Sequence, residues 1–258
     1  MEIIVLGSAH GRPLLGRFNT SLALVTGDDI HLLDCGEPCA ARLIQEGLDP
    51  LRVRAAFVSH MHADHASGIF MLLQEMHLGG RTAPLALAVP EEAVSPLTTF
   101  LPAIYCDPAS LSFPLTLLAI RPEATVYSDG QFEVAAFRNS HICAGPLGKP
   151  DGLPHSFSCV ISAAGKRVVW TGDLPRTFDE LGDLLSKPTD LLLCELTHMA
   201  PDALFEFLGQ YDIGTVLFHH VYEGHFDDFA DFGPMLARAR QFIDGEVYIA
   251  RDGDRLKI

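Results

Sequence analysis

Three histidines and one aspartate stand within six consecutive positions, in the segment His60-Met61-His62-Ala63-Asp64-His65. The apolar run 55–58 precedes the segment, at the point where a strand-like pattern gives way to a helical one. Neither a continuous strand nor a continuous helix can aim His62 and His65, three positions apart, at one point, so a loop is predicted. Imidazole and carboxylate groups together suit a divalent metal such as zinc. A single histidine is usually a core or surface residue, but this density predicts a metal site.

The composition narrows the class of protein. The chain has 258 residues, 48% of them hydrophobic, which is enough for a sizeable core in one α/β domain. Its net charge of −15 argues against a surface that binds DNA or RNA, which needs clustered Lys and Arg. It leaves a small anionic substrate open, because metal ions can supply local positive charge.

The six cysteines are scattered without a C-x-x-C pair, so buried thiols are predicted. The one reservation to this prediction is Cys143, which follows His141 by two positions. The N-terminus lacks the basic region of a signal peptide, and no apolar stretch is long enough for a transmembrane helix. A soluble, cytoplasmic protein is therefore expected, with no membrane partner.

Hydrophobic periodicity predicts a mixed α/β chain with regular strand-to-helix alternation in its last third. The predicted strands are 3–6, 21–26, 30–33, 54–58, 85–89, 131–138, 157–162, 167–170, 191–196, 215–218, 247–250 and 255–258, and the predicted helices are 38–46, 66–77, a helix from 91, 178–185, 202–208 and 229–242. Segment 7–19 is predicted to be a loop, and segment 100–125 has no clear pattern.

Metal-ligand side chains recur where predicted strands end. They are Asp34, the segment 60–65, His141, Asp173 and one of the neighbours His219 and His220. Without Asp34, these are five histidines and two aspartates, which exceed the three or four protein ligands of one zinc ion. Two metals sharing a carboxylate fit this inventory better.

These blocks, in this order, resemble the metallo-β-lactamase fold superfamily, and the resemblance covers nearly the whole chain. It implies an αββα sandwich of four layers, in which helices flank two mixed β-sheets, and a single metallo-hydrolase domain over residues 1–258. The implied ligands are His60, His62 and His141 for the first metal, Asp64, His65 and His219 for the second, and Asp173 as the bridging carboxylate. Asp34 would orient the cluster, although a plain turn residue is an equal interpretation.

The last ligand is open between two neighbours. Adjacent strand residues point to opposite faces, so only one of His219 and His220 can bind metal. Ribonuclease Z relatives carry Leu-Thr-His here, which aligns with Leu217-Phe218-His219 and favours His219.

Within the superfamily, Leu6-Gly7-Ser8-Ala9 and Leu33-Asp34-Cys35-Gly36 resemble the branch of ribonuclease Z, cyclic-nucleotide phosphodiesterases and the cyclic phosphodiesterase of phosphonate breakdown. Ribonuclease Z itself fits less well. Its His-Glu-Ala-Thr block appears as Cys194-Glu195-Leu196-Thr197, and its His-Ser-Thr block is absent from 199–214.

The resemblance implies a dinuclear-metal hydrolase, above all a phosphodiesterase that acts on a small phosphodiester or cyclic phosphate through a metal-bridging hydroxide. The cofactors would be two divalent ions, zinc before manganese or iron. Asp64 and Asp173 would orient the hydroxide, and His198 would protonate the leaving group, with His225 as a second candidate. The alternative interpretation of both histidines is an exposed loop residue.

Two alternative hypotheses are a lactone or thioester hydrolase and a metal-binding domain without catalysis. The loop 7–19, with His10, Arg12 and Arg17, and the segment 142–155 would form walls of the pocket. For Arg12 and Arg17, solvated surface is the favoured interpretation. The expected partner is a small anionic substrate rather than nucleic acid, and a homodimer is compatible with the sequence.

Overall fold

The computed structural model describes residues 1–142 and 155–258. The strands are β1 Glu2–Gly7, β2 Ser21–Thr26, β3 Asp29–Leu33, β4 Val53–Phe57, β5 Leu85–Pro90, β6 Leu115–Ile120, β7 Ala124–Ser128, β8 Phe132–Asn139, β9 Ser156–Ala163, β10 Lys166–Trp170, β11 Thr189–Leu196, β12 Ile213–Val221, β13 Glu246–Ile249 and β14 Arg255–Lys257. The α-helices are α1 Cys39–Gln45, α2 Ala63–Ala66, α3 Ile69–Leu78, α4 Glu91–Ala103, α5 Leu181–Leu185, α6 Pro201–Leu208 and α7 Gly233–Ala239, and short 3₁₀ turns lie at Pro50–Arg52 and Glu223–His225.

The strands form two mixed sheets of seven. The first has the order β14-β1-β2-β3-β4-β5-β6, and the second has the order β13-β12-β11-β10-β9-β8-β7. In each sheet an antiparallel part joins a parallel part, with the change at β3 in the first sheet and at β10 in the second. The predicted class, two mixed β-sheets flanked by helices in an αββα sandwich, is confirmed.

Alternation along the strands places the core between the sheets. Phe132 and Val134 of β8 point into this inner core, while Glu133 between them is exposed. Parallel strands are buried on both faces, so they appear as continuous apolar runs. In β11, for example, Leu191 and Leu193 belong to the inner core, whereas the residue between them packs on the outer helical side.

The predicted helix 66–77 is divided into α2 and α3 around Gly68. The amide of Gly68 donates to the carbonyl of Cys35, and a Cβ atom at Gly68 would lie 2.7 Å from that same oxygen. This close approach of two backbones requires glycine. It also ends α2 immediately after the residues Asp64 and His65.

Other elements differ from prediction in length. The predicted helix 178–185 begins only at Leu181, since Phe178 has a φ of +36°. The predicted helix 229–242 is reduced to α7. The unassigned segment 100–125 contains the end of α4, all of β6 and the start of β7. In the described parts of the chain, no helix is long and apolar enough to cross a membrane.

Candidate metal centre

The strand ends converge at one edge of the sandwich. Asp34 follows β3, the segment 60–65 follows β4, His141 follows β8, Asp173 follows β10, and His220 lies near the end of β12. Each of the histidine and aspartate side chains among these is buried or partly buried, except His62, which is exposed. The strands therefore hold ligand-type groups from five distant parts of the chain in one small volume.

The first group consists of His60, His62, His141 and Asp173, whose ligand atoms all lie within 4.8 Å of one another. Nε2 of His60 and Nδ1 of His62 are 2.9 Å apart. Oδ2 of Asp173 lies 3.8 Å from Nε2 of His60 and 3.6 Å from Nε2 of His141. The first three are the histidines that the resemblance assigns to the first metal.

The second group consists of Asp64, His65 and His220. Oδ2 of Asp64 lies 3.3 Å from Nε2 of His65 and 3.1 Å from Nε2 of His220. Asp173 reaches this group too, with Oδ2 3.4 Å from Nε2 of His65 and Oδ1 3.6 Å from Nε2 of His220. The Asp173 carboxylate is therefore common to both groups.

Hydrogen bonds on the far side of the rings orient these histidines. Nδ1 of His65 lies 2.6 Å from Oδ2 of Asp34. The hydroxyl of Ser59 donates to Asp34 and can therefore accept from Nδ1 of His60, 3.0 Å away. Asp34 has a φ of +58°, so it is a turn residue. Its carboxylate also holds the ring of His65. Partners of this kind fix the tautomer of a metal-binding histidine and leave its other nitrogen free.

Three polar atoms at the centre are buried and have no hydrogen-bond partner among the described residues: Nε2 of His65, Nε2 of His141 and Oδ1 of Asp173. Leaving such an atom unpaired costs about 1–3 kcal/mol. Burial would raise the pKa of Asp173, but His220 and His65 hold that pKa well below its usual range. An ionised buried carboxylate among unpaired imidazole nitrogens suits divalent cations, so the donor set fits a metal site.

The structure places His220, rather than His219, beside Asp64 and His65. The β11–β12 register pairs Glu195 with His219 and then Leu196 with Val221, so His220 is an extra residue in a β-bulge, with a φ of +50°. The bulge turns His220 toward Asp64, whereas Nδ1 of His219 lies 3.3 Å from the hydroxyl of Thr20. Strand alternation alone could not reveal a bulge, which re-aims a side chain locally.

Glu195 and His198 form a hydrogen-bonded pair beside the two groups. Nδ1 of His198 lies 2.8 Å from Oε1 of Glu195 and 3.9 Å from Oδ2 of Asp173. Glu195 is fully buried and also accepts from the amides of Leu174, Thr197 and His198. The oxygens of Glu195 are thus already hydrogen-bonded within the protein. One ligand-type atom each of Asp173, Glu195, His198 and His220 nevertheless lie within 4.8 Å of one another. Burial lowers the pKa of His198, but the bond to Glu195 and the charges of Glu195 and Asp173 raise it to about 9.

His225, the second candidate proton donor, is placed differently. Its Nε2 donates to the carbonyl of Thr197 at 3.0 Å, and it belongs to neither group of ligands. Sequence reasoning missed Ser59 and Thr197, whose hydroxyls contact ligand histidines, because serine and threonine are common at strand ends in any role.

The loop 7–19 borders the second group. A Cβ atom at Gly11 would lie 3.4 Å from Oδ2 of Asp64, and Nε2 of His10 lies 2.6 Å from Oε2 of Glu223. Arg12 is exposed, as expected. The same expectation is wrong for Arg17, whose guanidinium is buried against the Phe229 ring at 4.4 Å.

The other predicted wall, segment 142–155, lies largely outside the described residues, which exclude 143–154 and therefore Cys143. At its far end, Nδ1 of His155 lies 3.0 Å from Oε2 of Glu92 on α4.

The two sheets, the flanking helices and the His/Asp groups at their edge define a protein of the metallo-β-lactamase fold superfamily. The predicted resemblance is confirmed. More narrowly, the chain belongs to the family described as Anti-Pycsar protein Apyc1, whose model matches residues 1–226.

Known proteins support the placement in the superfamily. A ribonuclease Z of Methanococcus maripaludis is 32% identical over 144 residues, which are 55% of this chain and 46% of that protein, so the match spans about half the length of the curated relative. YhfI of Bacillus subtilis, a metallo-β-lactamase fold protein, superimposes with a TM-score of 0.78 at 19% identity and covers 99% of each chain. The short form of human tRNase Z has a TM-score of 0.71 at 20% identity and covers 100% of this chain and 99% of its own.

Proposed function

We propose that this chain is a dinuclear-metal-dependent phosphodiesterase that hydrolyses a small phosphodiester or a cyclic phosphate. The observation that carries the proposal is the position of Asp173, whose two oxygens lie within 3.4–3.8 Å of imidazole nitrogens from both ligand groups. A carboxylate shared in this way holds two cations close enough to act on one phosphoryl group.

The residues that would hold the first cation are His60, His62, His141 and Asp173, and those for the second are Asp64, His65, His220 and Asp173. Two divalent cations, when bound, supply Lewis acidity toward phosphoryl oxygens and make water a nucleophile near neutral pH. Zinc matches the mixture of imidazole and carboxylate donors best, with manganese and iron as alternatives.

The chain itself would supply the proton for the leaving group. The Nδ1–H group of His198 donates to the carboxylate of Glu195. The pKa of His198, raised to about 9, leaves the ring protonated at neutral pH. About a third of its side chain is exposed, so Nε2 can donate to a leaving alkoxide in the cleft. Asp64 and Asp173, with oxygens turned toward the same space, would accept hydrogen bonds from the attacking water and orient it.

The net charge of −15 supports a small substrate over a long polyanion, because an extended nucleic acid gains affinity chiefly from Lys and Arg contacts to its phosphates. RNA cleavage remains the second candidate, since the curated relatives carry the name ribonuclease Z. That likeness counts against excluding nucleic acid on charge alone. Lactone or thioester hydrolysis and metal binding without catalysis are the other candidates.

The test is a substrate panel on protein loaded with zinc, and separately with manganese. The panel contains bis-p-nitrophenyl phosphate, several cyclic nucleotides, a short RNA and an acyl-homoserine lactone. We expect turnover of the small phosphodiesters, with the RNA and the lactone at least about 100-fold poorer in kcat/KM, a difference of about 2.7 kcal/mol in transition-state stabilisation. Faster cleavage of RNA or lactone would replace the proposal with that activity. Two bound metals without any turnover would favour the binding domain.

A further inference from the structure

Thr197 contacts the bulged histidine through its hydroxyl group in two ways. Oγ1 of Thr197 donates to the backbone carbonyl of His220, and it lies 3.0 Å from Nδ1 of the same residue. A hydroxyl has one proton to donate, and here the carbonyl takes it. The contact with Nδ1 must therefore run the other way, with the imidazole donating an Nδ1 proton to the threonine oxygen.

This assignment determines what the other side of the His220 ring can do. With the proton on Nδ1, a neutral imidazole carries a lone pair on Nε2. Nε2 of His220 lies 3.1 Å from Oδ2 of Asp64 and 3.6 Å from Oδ1 of Asp173. A lone pair directed at two carboxylates is favourable only when a cation lies between them.

Thr197 is itself held firmly. Its amide donates to Oε2 of Glu195 at 2.9 Å, and its carbonyl accepts from Nε2 of His225 at 3.0 Å. His220 needs such an anchor because the register shift in β12 and a φ of +50° remove it from the regular strand pairing. The side-chain contact thus supplies an orientation that the sheet does not.

The arrangement parallels the one at His65. There Nδ1 lies 2.6 Å from the carboxylate of Asp34, while Nε2 faces the same Asp64 and Asp173. Both histidines of the second group are therefore held at Nδ1 by an oxygen from another strand end. One oxygen is charged and the other belongs to a hydroxyl.

We propose that Thr197 is a positioning residue of the second metal group: its hydroxyl selects the Nδ1-protonated tautomer of His220 and aims Nε2 at the cation. The inference rests on the dinuclear site of the proposed function. Outer-shell partners of this kind affect metal affinity by about 10- to 100-fold. The loss should fall on the group of Asp64, His65 and His220 and leave the first group unchanged.

The experiment compares Thr197→Val, which keeps the shape and removes the hydroxyl, with Thr197→Ser, which keeps the hydroxyl. Thr98→Val is the matched control, since the hydroxyl of Thr98, among the described residues, bonds within α4 to the carbonyl of Val94. Apoprotein is titrated with zinc against a chromophoric chelator, which resolves two binding steps without any substrate. Thr197→Val should weaken one step by about 10- to 100-fold, whereas Thr197→Ser and Thr98→Val should stay within about threefold of the parent protein.

Equal affinities in Thr197→Val and the parent protein, or equal losses in Thr197→Val and Thr197→Ser, would overturn the inference. If Thr197→Val does not fold, ¹⁵N spectra of histidine-labelled parent protein decide the question, because an Nε2-protonated His220 would also overturn it. The proposed function fails separately, when parent protein with two bound zinc ions hydrolyses none of the phosphodiesters. A parent protein that binds a single zinc ion would remove the basis of both.

Discussion

Oδ2 of Asp34 lies 2.6 Å from Nδ1 of His65, and both side chains are 1% exposed. The other carboxylate oxygen of Asp34 accepts from the amide and the hydroxyl of Ser59, one residue before the His60–His65 segment. A single buried carboxylate at the end of β3 thus fixes both the start of the ligand segment and the direction of one of its histidines.

Replacing Asp34 with Asn should disable the second group while keeping the side-chain shape. The amide oxygen can still accept from Ser59, so the amide NH₂ then faces Nδ1 of His65 and forces that nitrogen to become an acceptor. The proton moves to Nε2, where a metal must bind. We expect at least a 10-fold weaker second zinc in a chelator titration. Asp28→Asn, on an aspartate whose side chain is 85% exposed, is the control and should bind both ions normally. Unchanged affinity in Asp34→Asn would contradict the role given to Asp34.

Asp173→Ala should lower turnover of bis-p-nitrophenyl phosphate by at least about 100-fold and weaken one or both metals. The reason is that its carboxylate approaches imidazoles of both groups. Activity and metal content by elemental analysis are measured on the same sample. Near-normal activity with one or two metals bound would show that the shared-carboxylate assignment is wrong.

His198→Gln should discriminate between leaving groups. Loss of a proton donor hardly affects a p-nitrophenolate, which leaves without protonation, but should slow an alkoxide leaving group by about 100- to 10,000-fold.

The pH dependence of His198 follows from the same role. The residue acts when protonated, and its pKa is raised to about 9, so the rate with an alkoxide leaving group should fall as the pH rises above about 9. His198→Gln should lose that decline. His225→Gln is the control, and a larger loss there would transfer the role to His225.

Arg17→Met should lower the free energy of unfolding by about 1–3 kcal/mol in chemical denaturation. The guanidinium donates to the hydroxyl of Ser8 at 2.9 Å and to the carbonyl of Ala250 at 3.1 Å, and these acceptors are buried with it. Arg12→Met, five positions earlier on the same loop and exposed, should change the free energy by less than about 0.5 kcal/mol. Equal effects would mean that the buried contacts contribute nothing to stability.

His31 should make stability fall in mild acid. Its ring stacks on Phe132 with centroids 3.7 Å apart, and burial lowers its pKa from 6.5 to about 4. Between these pH values the unfolded chain binds a proton at His31 that the folded chain does not. The free energy of unfolding is therefore undiminished by His31 above pH 6.5 and declines as the pH falls toward 4. By pH 5 the loss is about 2 kcal/mol.

Urea denaturation at pH 7.5 and pH 5, in the presence of EDTA, measures this loss. In His31→Leu the difference between the two pH values should be smaller by about 2 kcal/mol. In His77→Leu, which removes a half-buried histidine of α3, it should stay as in the parent protein. An unchanged difference in His31→Leu would refute the prediction.

Much of the architecture was predictable because its signals are local. Period-two alternation in β8 and the apolar runs of the parallel strands follow from which faces are buried, whatever their neighbours are. The split between α2 and α3 was not predictable. It depends on the approach of Gly68 to the backbone of Cys35, more than 30 positions away in the chain.

The sequence by itself determined which residue types could bind metal and at which strand ends they stand. The structure brings together six of the seven predicted ligands, namely His60, His62, Asp64, His65, His141 and Asp173. Only the tertiary structure decided the seventh position, the burial of Arg17 and the contact of Thr197 with His220. The physical reason is that ligand chemistry belongs to the side chain and is visible in one residue. Direction depends on a bulge, a neighbouring strand or a distant hydroxyl, and these exist only once the chain has folded.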